Sequence, residues 1–155
     1  MMLKVYRMRP AAKLPLRAHQ QDAGADLFYC PDGGKKLYET NNYHIPPSSS
    51  RVLPTGIKVE VPYGYMLEVK NKSGVASKRQ LIVGACVIDP GYNGEVYVNL
   101  HNIGTTTQVI TPGMKIAQAV LVPISHCNFE EVETDQYLNF HSKRGDGAFG
   151  STGEK

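Results

Sequence analysis

The stretch Arg144-Gly145-Asp146-Gly147-Ala148-Phe149-Gly150-Ser151-Thr152-Gly153 sets one guanidinium and one aromatic ring on a backbone that is otherwise mostly glycine. Bare amide N–H groups, the two hydroxyls and Arg144 suit an anion, while Phe149 offers a flat face to a planar group. The segment reads as a lid for a phosphorylated molecule that carries a base or, taken alone, as a linker-like tail. A second cluster, Asn71-Lys72-Ser73-Gly74-Val75-Ala76, places a cation and a hydroxyl at the start of a short helix. Unpaired N–H groups there favour negative charge, although plain capping chemistry uses the same residues.

Between Val83 and Val98, two β-rich arms flank Asp89-Pro90-Gly91-Tyr92-Asn93-Gly94 and read as a β-hairpin with a longer loop. The small residues Gly84 and Ala85 would let a ligand approach one arm, whose N–H and C=O groups could then pair with the edge of a base. Asp89 near the tip is a candidate general base and Tyr92 a flat surface for a sugar, while Asp-Pro-Gly is also an ordinary turn. Gln118, in the strand after Pro112-Gly113, can donate to a phosphate oxygen or to a metal-bound water. Asp26, within Ala23-Gly24-Ala25-Asp26-Leu27, reads on its own as structural.

The elements that must hold these groups are short strands. Ile57, Val59 and Val61 alternate with Lys58 and Glu60, and Val96, Val98 and Leu100 alternate with Tyr97, Asn99 and His101. Val109-Ile110 precedes the turn signal Thr111-Pro112-Gly113, and Ile116 to Val122 reads as a further strand. This punctuation predicts an all-β sandwich or barrel-like domain with one short helix, capped by Ser73 and running from Val75 to Arg79, with free amides from Ser73 to Ala76. The chain turns polar and glycine-rich from about Asn139, which predicts a core over 1–139 and a flexible arm over 140–155.

At 155 residues with net charge +3, the chain suits one domain, and its charge gives no reason to expect nucleic-acid binding. No apolar run is long enough to span a bilayer, and the first residues lack the pattern of a signal peptide, so a soluble intracellular protein is expected. The three cysteines and five histidines are scattered, without the spacing of a disulfide framework or a zinc site.

Taken in order, the clusters resemble the five motifs of the homotrimeric dUTP pyrophosphatases (dUTPases): Ala-Gly-Ala-Asp-Leu at 23–27, Lys-Ser-Gly-Val-Ala at 72–76, Gly-Ala-Cys-Val-Ile-Asp-Pro-Gly-Tyr-Asn-Gly-Glu at 84–95, Gly-Met-Lys-Ile-Ala-Gln at 113–118 and the glycine-rich stretch at 144–153. The resemblance implies a jelly-roll-like β-sandwich that forms a homotrimer with shared active sites, without membrane or stable nucleic-acid partners. It implies Mg²⁺-assisted hydrolysis of dUTP to dUMP and pyrophosphate, limiting uracil in DNA and supplying dUMP for dTMP synthesis.

Carried onto this chain, the family pattern makes Asp89 the base that activates the attacking water and Tyr92 the residue that stacks under deoxyribose and excludes a 2′-hydroxyl. The backbone of Cys86, Val87 and Ile88, with Tyr97, would pair with uracil. Lys72, Ser73, Gly74 and Gln118 would hold the triphosphate. Arg144 would pair with its distal end, Phe149 would cover the base, and Gly150, Ser151 and Thr152 would contact phosphate. Mg²⁺ would ride on phosphate oxygens with Asp26 as an outer-shell partner through water.

Some positions depart from the family pattern. Lys72 and Lys115 stand where arginine is usual, Cys86 and Ala148 where glycine is, and Pro90-Gly91 and Asn93 differ at the hairpin tip. A dCTP deaminase of the same fold, or a regulatory binding protein built on it, are the competing implications.

Overall fold

The structure, a computed structural model, describes residues 2–33 and 41–138. Among these residues, alternating or continuous apolar runs broken by Gly and Pro produce eleven strands and one α-helix: β1 (Val5–Arg7), β2 (Ala25–Phe28), β3 (Tyr43–Ile45), β4 (Ser50–Pro54), β5 (Ile57–Val59), β6 (Tyr65–Lys70), α1 (Ser73–Arg79), β7 (Leu81–Val83), β8 (Val87–Ile88), β9 (Tyr97–Asn102), β10 (Gln108–Ile110) and β11 (Lys115–Pro123). Every strand pair is antiparallel. Four strands order as β2-β11-β6-β8 and three as β4-β9-β7, with the pairs β1-β5 and β10-β3 beside them. The expected all-β, jelly-roll-like sandwich with one short helix is the fold this chain adopts.

The strand periodicity read from the sequence is the periodicity of burial. Ile57, Val59 and Val61 are buried, as are Val96, Val98 and Leu100, and they join Leu53, Leu81, Leu27, Val69 and Ile116 in one apolar core drawn from all four sheets. Truncating a fully enclosed member such as Leu100 to Ala would cost about 2–5 kcal/mol through lost transfer energy and the cavity left behind.

Contacts divide the chain into a compact unit over Met1–Ser125 and a second over His126–Lys155, so the expected boundary at 139 falls within the second. In the second unit's described part, a 3₁₀ turn at Asp135–Tyr137 is capped by the Thr134 hydroxyl, which accepts from the Gln136 amide.

The helix begins differently from expectation. Its N-cap is Lys72, in extended backbone, and the Lys72 carbonyl accepts from the amides of both Val75 and Ala76 at 2.9 Å. Ser73 lies one position inside the helix, and in this first turn the amides of Ser73 and Gly74 have no backbone partner among the described residues. The extended backbone at Lys72 accompanies an ion pair from its side chain to Asp26. Val75 pins the helix to the core, and Gln80 ends it in the left-handed region at φ 54°.

Candidate active site

The segment after α1 behaves as a hairpin only at its base. Leu81, Ile82 and Val83 pair with Asn102, His101 and Leu100, and Gly84 N–H still reaches the Asn99 carbonyl at 2.9 Å. Beyond Ala85 the strand changes sheet. The Cys86 carbonyl accepts from Val69 at 2.7 Å, and Val87 and Ile88 pair with Glu68 and Leu67 of β6. The expected single hairpin is therefore a pair that unzips, one arm leaving for the β6 sheet while the other continues as β9. At Gly84 a Cβ would also meet the far ends of the Asn99 and His101 side chains, which lie hydrogen-bonded to each other across it.

Where the arms part, a cavity of ≈ 200 Å³ opens between Cys86–Ile88 and Glu95–Tyr97, with Asp89 and Tyr92 on its wall. Since β8 is the last strand of its sheet among the described residues, one of its backbone edges pairs with β6 and the other has no strand partner among them. Strand edges of this kind recognise planar amide-like groups by main-chain hydrogen bonds. At the mouth, Tyr92 N–H closes back on the Asp89 carbonyl at 3.3 Å, with Pro90 at the second turn position and Gly91 at φ +85° in the third, the pattern of a type II turn. The turn leaves the Asp89 side chain exposed at the slot. Tyr97 stands opposite; the charge of Glu95, then burial, raises its phenol above the usual 10, keeping it protonated.

A second cavity of ≈ 560 Å³ is lined by Asp26, Glu68, Lys70, Asn71, Lys72 and Gln118, and has Val69 and Cys86 as lining residues in common with the first. Strand register aligns its floor, because Gln118 lies opposite both Asp26 of β2 and Lys70 of β6. Asp26 is 5% exposed. Its two carboxylate oxygens meet Lys72 Nζ at 2.8 Å and Lys115 Nζ at 2.7 Å. Burial by itself would push this carboxyl up, but hydrogen bonds and charge from Lys115 and Lys72 outweigh it and hold the group below 3.8.

A β-bulge makes the second of those pairings possible. The register shifts between Lys115 and Ala117, so Lys115 falls opposite Phe28. In an unbroken ladder it would face Tyr29 and point to the other side of the sheet.

One carboxylate against two ammonium groups leaves a local charge of about +1, while Lys70 is matched by Glu68 at 2.9 Å. The half-buried Lys72, at the cavity wall, and the more open Lys115, outside its lining, thus carry one surplus positive charge between them. Gln118 is partly committed: its amide nitrogen donates to the Asn71 carbonyl at 2.9 Å, leaving one N–H for a ligand.

Among the described residues no cluster of three His, Cys, Asp or Glu could hold a metal ion. Asp26, expected as an outer-shell Mg²⁺ partner through water, sets its two oxygens beside the ammonium groups of Lys72 and Lys115, an arrangement that does not suit a directly bound divalent cation and leaves a contact through water open.

Of the expected site residues, Cys86, Val87, Ile88, Asp89, Tyr92 and Tyr97 line the slot. Lys72 and Gln118 line the second cavity, and Ser73 and Gly74 open the helix beside Lys72. Arg144, Phe149, Gly150, Ser151 and Thr152 lie outside the described residues. Sequence reasoning overlooked Arg9 and the buried role of Glu95, which share a bidentate ion pair across 86 positions of chain. A glutamate directly preceding a buried strand was the available signal.

A family model described as dUTPase matches residues 11–153. The chain is 39% identical to the deoxyuridine 5′-triphosphate nucleotidohydrolase of Gloeothece citriformis, over 99% of this chain and 97% of that protein. It is 38% identical to the one from Clostridium tetani, over 98% and 97%. Among solved structures, a mutant dUTPase of Staphylococcus bacteriophage 80alpha with dUpNHpp superimposes with a TM-score of 0.83 at 27% identity, covering 98% of both chains. A mutant dUTPase from phage phi11 of S. aureus, described with a structural Mg(II) ion, gives a TM-score of 0.75 at 27% identity over 86% of this chain and 98% of that one. With a match of this extent running through all five motifs, the chain belongs to the dUTPase family.

Proposed function

We propose that the slot takes the deoxyuridine end of dUTP and that Asp89 accepts a proton from a water attacking the α-phosphorus. The P–O bond to the β-phosphate breaks, giving dUMP and pyrophosphate. The observation that carries this reading is the convergence of Asp89, Tyr92, Tyr97 and the unpaired edge of Cys86–Ile88 on one small cavity. Uracil pairs with that edge, where thymine's 5-methyl would clash and cytosine would present the wrong donor pattern. Tyr92 packs against the sugar and rejects a 2′-hydroxyl. Lys72, the Ser73 and Gly74 amides and the remaining Gln118 N–H hold the triphosphate. Mg²⁺ enters as part of the substrate, bound to phosphate oxygens. Asp26 serves to present Lys72 and Lys115.

Asp89 and Lys72 do not line the same cavity of one chain. This supports a site completed between chains of a homotrimer, one giving the slot, a second the phosphate-binding residues and a third the arm with Arg144, Phe149, Gly150, Ser151 and Thr152. Pyrophosphate release measured in parallel with dUTP, dTTP, dCTP and UTP tests reaction, base and sugar together. Release confined to dUTP is expected; ammonia from dCTP, or equal turnover of UTP, would overturn the reading.

A further inference from the structure

Tyr92 is 46% exposed, on a loop whose other members from Asp89 to Gly94 are exposed or half-buried. No apolar core fixes its ring. Besides the turn bond to Asp89, its anchor among the described residues is the phenol itself, which donates to the Glu95 carbonyl at 2.9 Å. The ring also lies so close to Gly94 that a Cβ there would overlap it. The position of this sugar-facing ring therefore depends on where the Glu95 backbone stands.

Glu95 in turn is clamped. Arg9 grips its carboxylate with both terminal nitrogens, Nη1 to Oε2 at 3.2 Å and Nη2 to Oε1. The Gly56 amide adds a bond to Oε1 at 2.6 Å, and Arg9 Nη2 also reaches the Cys30 carbonyl at 3.3 Å. The pair is enclosed, with side chains 19% and 6% exposed. Enclosed ion pairs return little net stability relative to apolar replacements, and Arg9 Nε is buried without a hydrogen-bond partner among the described residues. A bidentate fork does, however, fix geometry well. Arg9 lies outside the five motifs and ahead of the segment, residues 11–153, that matches the family.

We infer that Arg9 is a positioning residue for sugar selection: by locking Glu95 it holds Tyr92 at the slot, and so sets the preference for deoxyribose over ribose. The inference rests on the proposed function of the slot and adds to it a control point on a different part of the chain.

The test compares kcat/KM for dUTP and UTP in the full chain and in Arg9→Gln, Tyr92→Phe and the double variant, with Tm measured for each. Each single variant is expected to lower the dUTP-to-UTP ratio by roughly tenfold, chiefly through KM, and the double variant to lose no more than the larger single, because both cut one tether. Arg9→Lys, which keeps the charge without the fork, should fall between. Unchanged discrimination in Arg9→Gln despite a lowered Tm would overturn the inference, as would losses that multiply in the double variant. Should Arg9→Gln not fold, Tyr92→Phe and Arg9→Lys decide it alone, and normal discrimination in both overturns it. A wild-type chain inactive on dUTP defeats the function and the inference together, whereas an active one with indifferent variants defeats only the inference.

Discussion

The nucleoside slot and the cation cluster are built from different materials. The slot is made of main chain: two strands that part at Ala85, an unpaired edge at β8 and a Pro-Gly turn. The cluster is made of long side chains converging on one buried carboxylate. Main-chain geometry is stiff and indifferent to pH or salt, whereas lysine–carboxylate contacts respond to both. Under the proposed function, base selection falls to the rigid part and phosphate grip to the adjustable part, and changes made in one region should leave the other's signature intact.

The largest effect should come from the slot. Asp89→Asn keeps the turn but loses the proton acceptor, and kcat should fall on the order of 10³-fold. Affinity for a non-hydrolysable dUTP analogue should barely move. Single-turnover kinetics with calorimetric binding checks this, and undiminished turnover would remove Asp89 from the chemistry.

Next comes Asp26→Asn, which strikes the cluster. Two ammonium groups lose their shared counter-charge, and stability at neutral pH should drop by about 2 kcal/mol, the scale of a hydrogen bond to a charged group. The pH dependence carries the sharper signature. The folded carboxyl lies below its ordinary 3.8, so as pH falls the unfolded chain takes up the proton first. Its stabilisation is whole above that ordinary value and is lost as pH drops through the folded one. Melting curves from pH 6 to pH 3 should therefore show a flatter acid limb in Asp26→Asn than in the wild type. Equal limbs would mean that Asp26 is not held by the lysines in solution.

The two regions also differ in how much of them could be read beforehand. The alternation over 57–61 and 96–100 is local, and its apolar positions are the buried ones, although the strands themselves cover Ile57–Val59 and Tyr97–Asn102. Pro90-Gly91 carries its turn in its own covalent geometry. The parting of the arms at Ala85 was hidden, because Val87 and Ile88 suit either neighbour and the choice of β6 is made by tertiary packing. Lys115 was hidden more deeply: its approach to Asp26 depends on a one-residue bulge that no composition signal marks. Ser73 looked like the cap by residue type, yet the carbonyl of Lys72 closes the first turn. Arg9 and Glu95 meet across most of the chain, a pairing that local pattern cannot specify.

A smaller effect separates the regions without mutation. Raising ionic strength from about 0.05 to 0.5 M shortens the screening length from roughly 14 to 4 Å. That should raise KM for dUTP several-fold through the exposed flank of the cluster, while the dUTP-to-UTP ratio stays constant. A ratio that drifted with salt would show that screenable surface charge, rather than main-chain shape and the enclosed Arg9–Glu95 pair, governs the slot.

The smallest effect expected is a gain. Under the proposed function Lys72 would present a single ammonium point to phosphate, one it already shares with Asp26. Arg at this position could keep one nitrogen on Asp26 and turn another toward a phosphate oxygen, because a guanidinium donates through several nitrogens in a fixed fork. Lys72→Arg should therefore lower KM for dUTP by about two- to fivefold with kcat little changed, since the contact serves ground and transition states alike. The same substitution at Lys115, whose side chain is 45% exposed and which does not line the cavity, should do less. Steady-state kinetics on the two variants ranks them. A larger gain at 115 than at 72 would reverse the assignment of which lysine faces the triphosphate, while leaving the slot untouched.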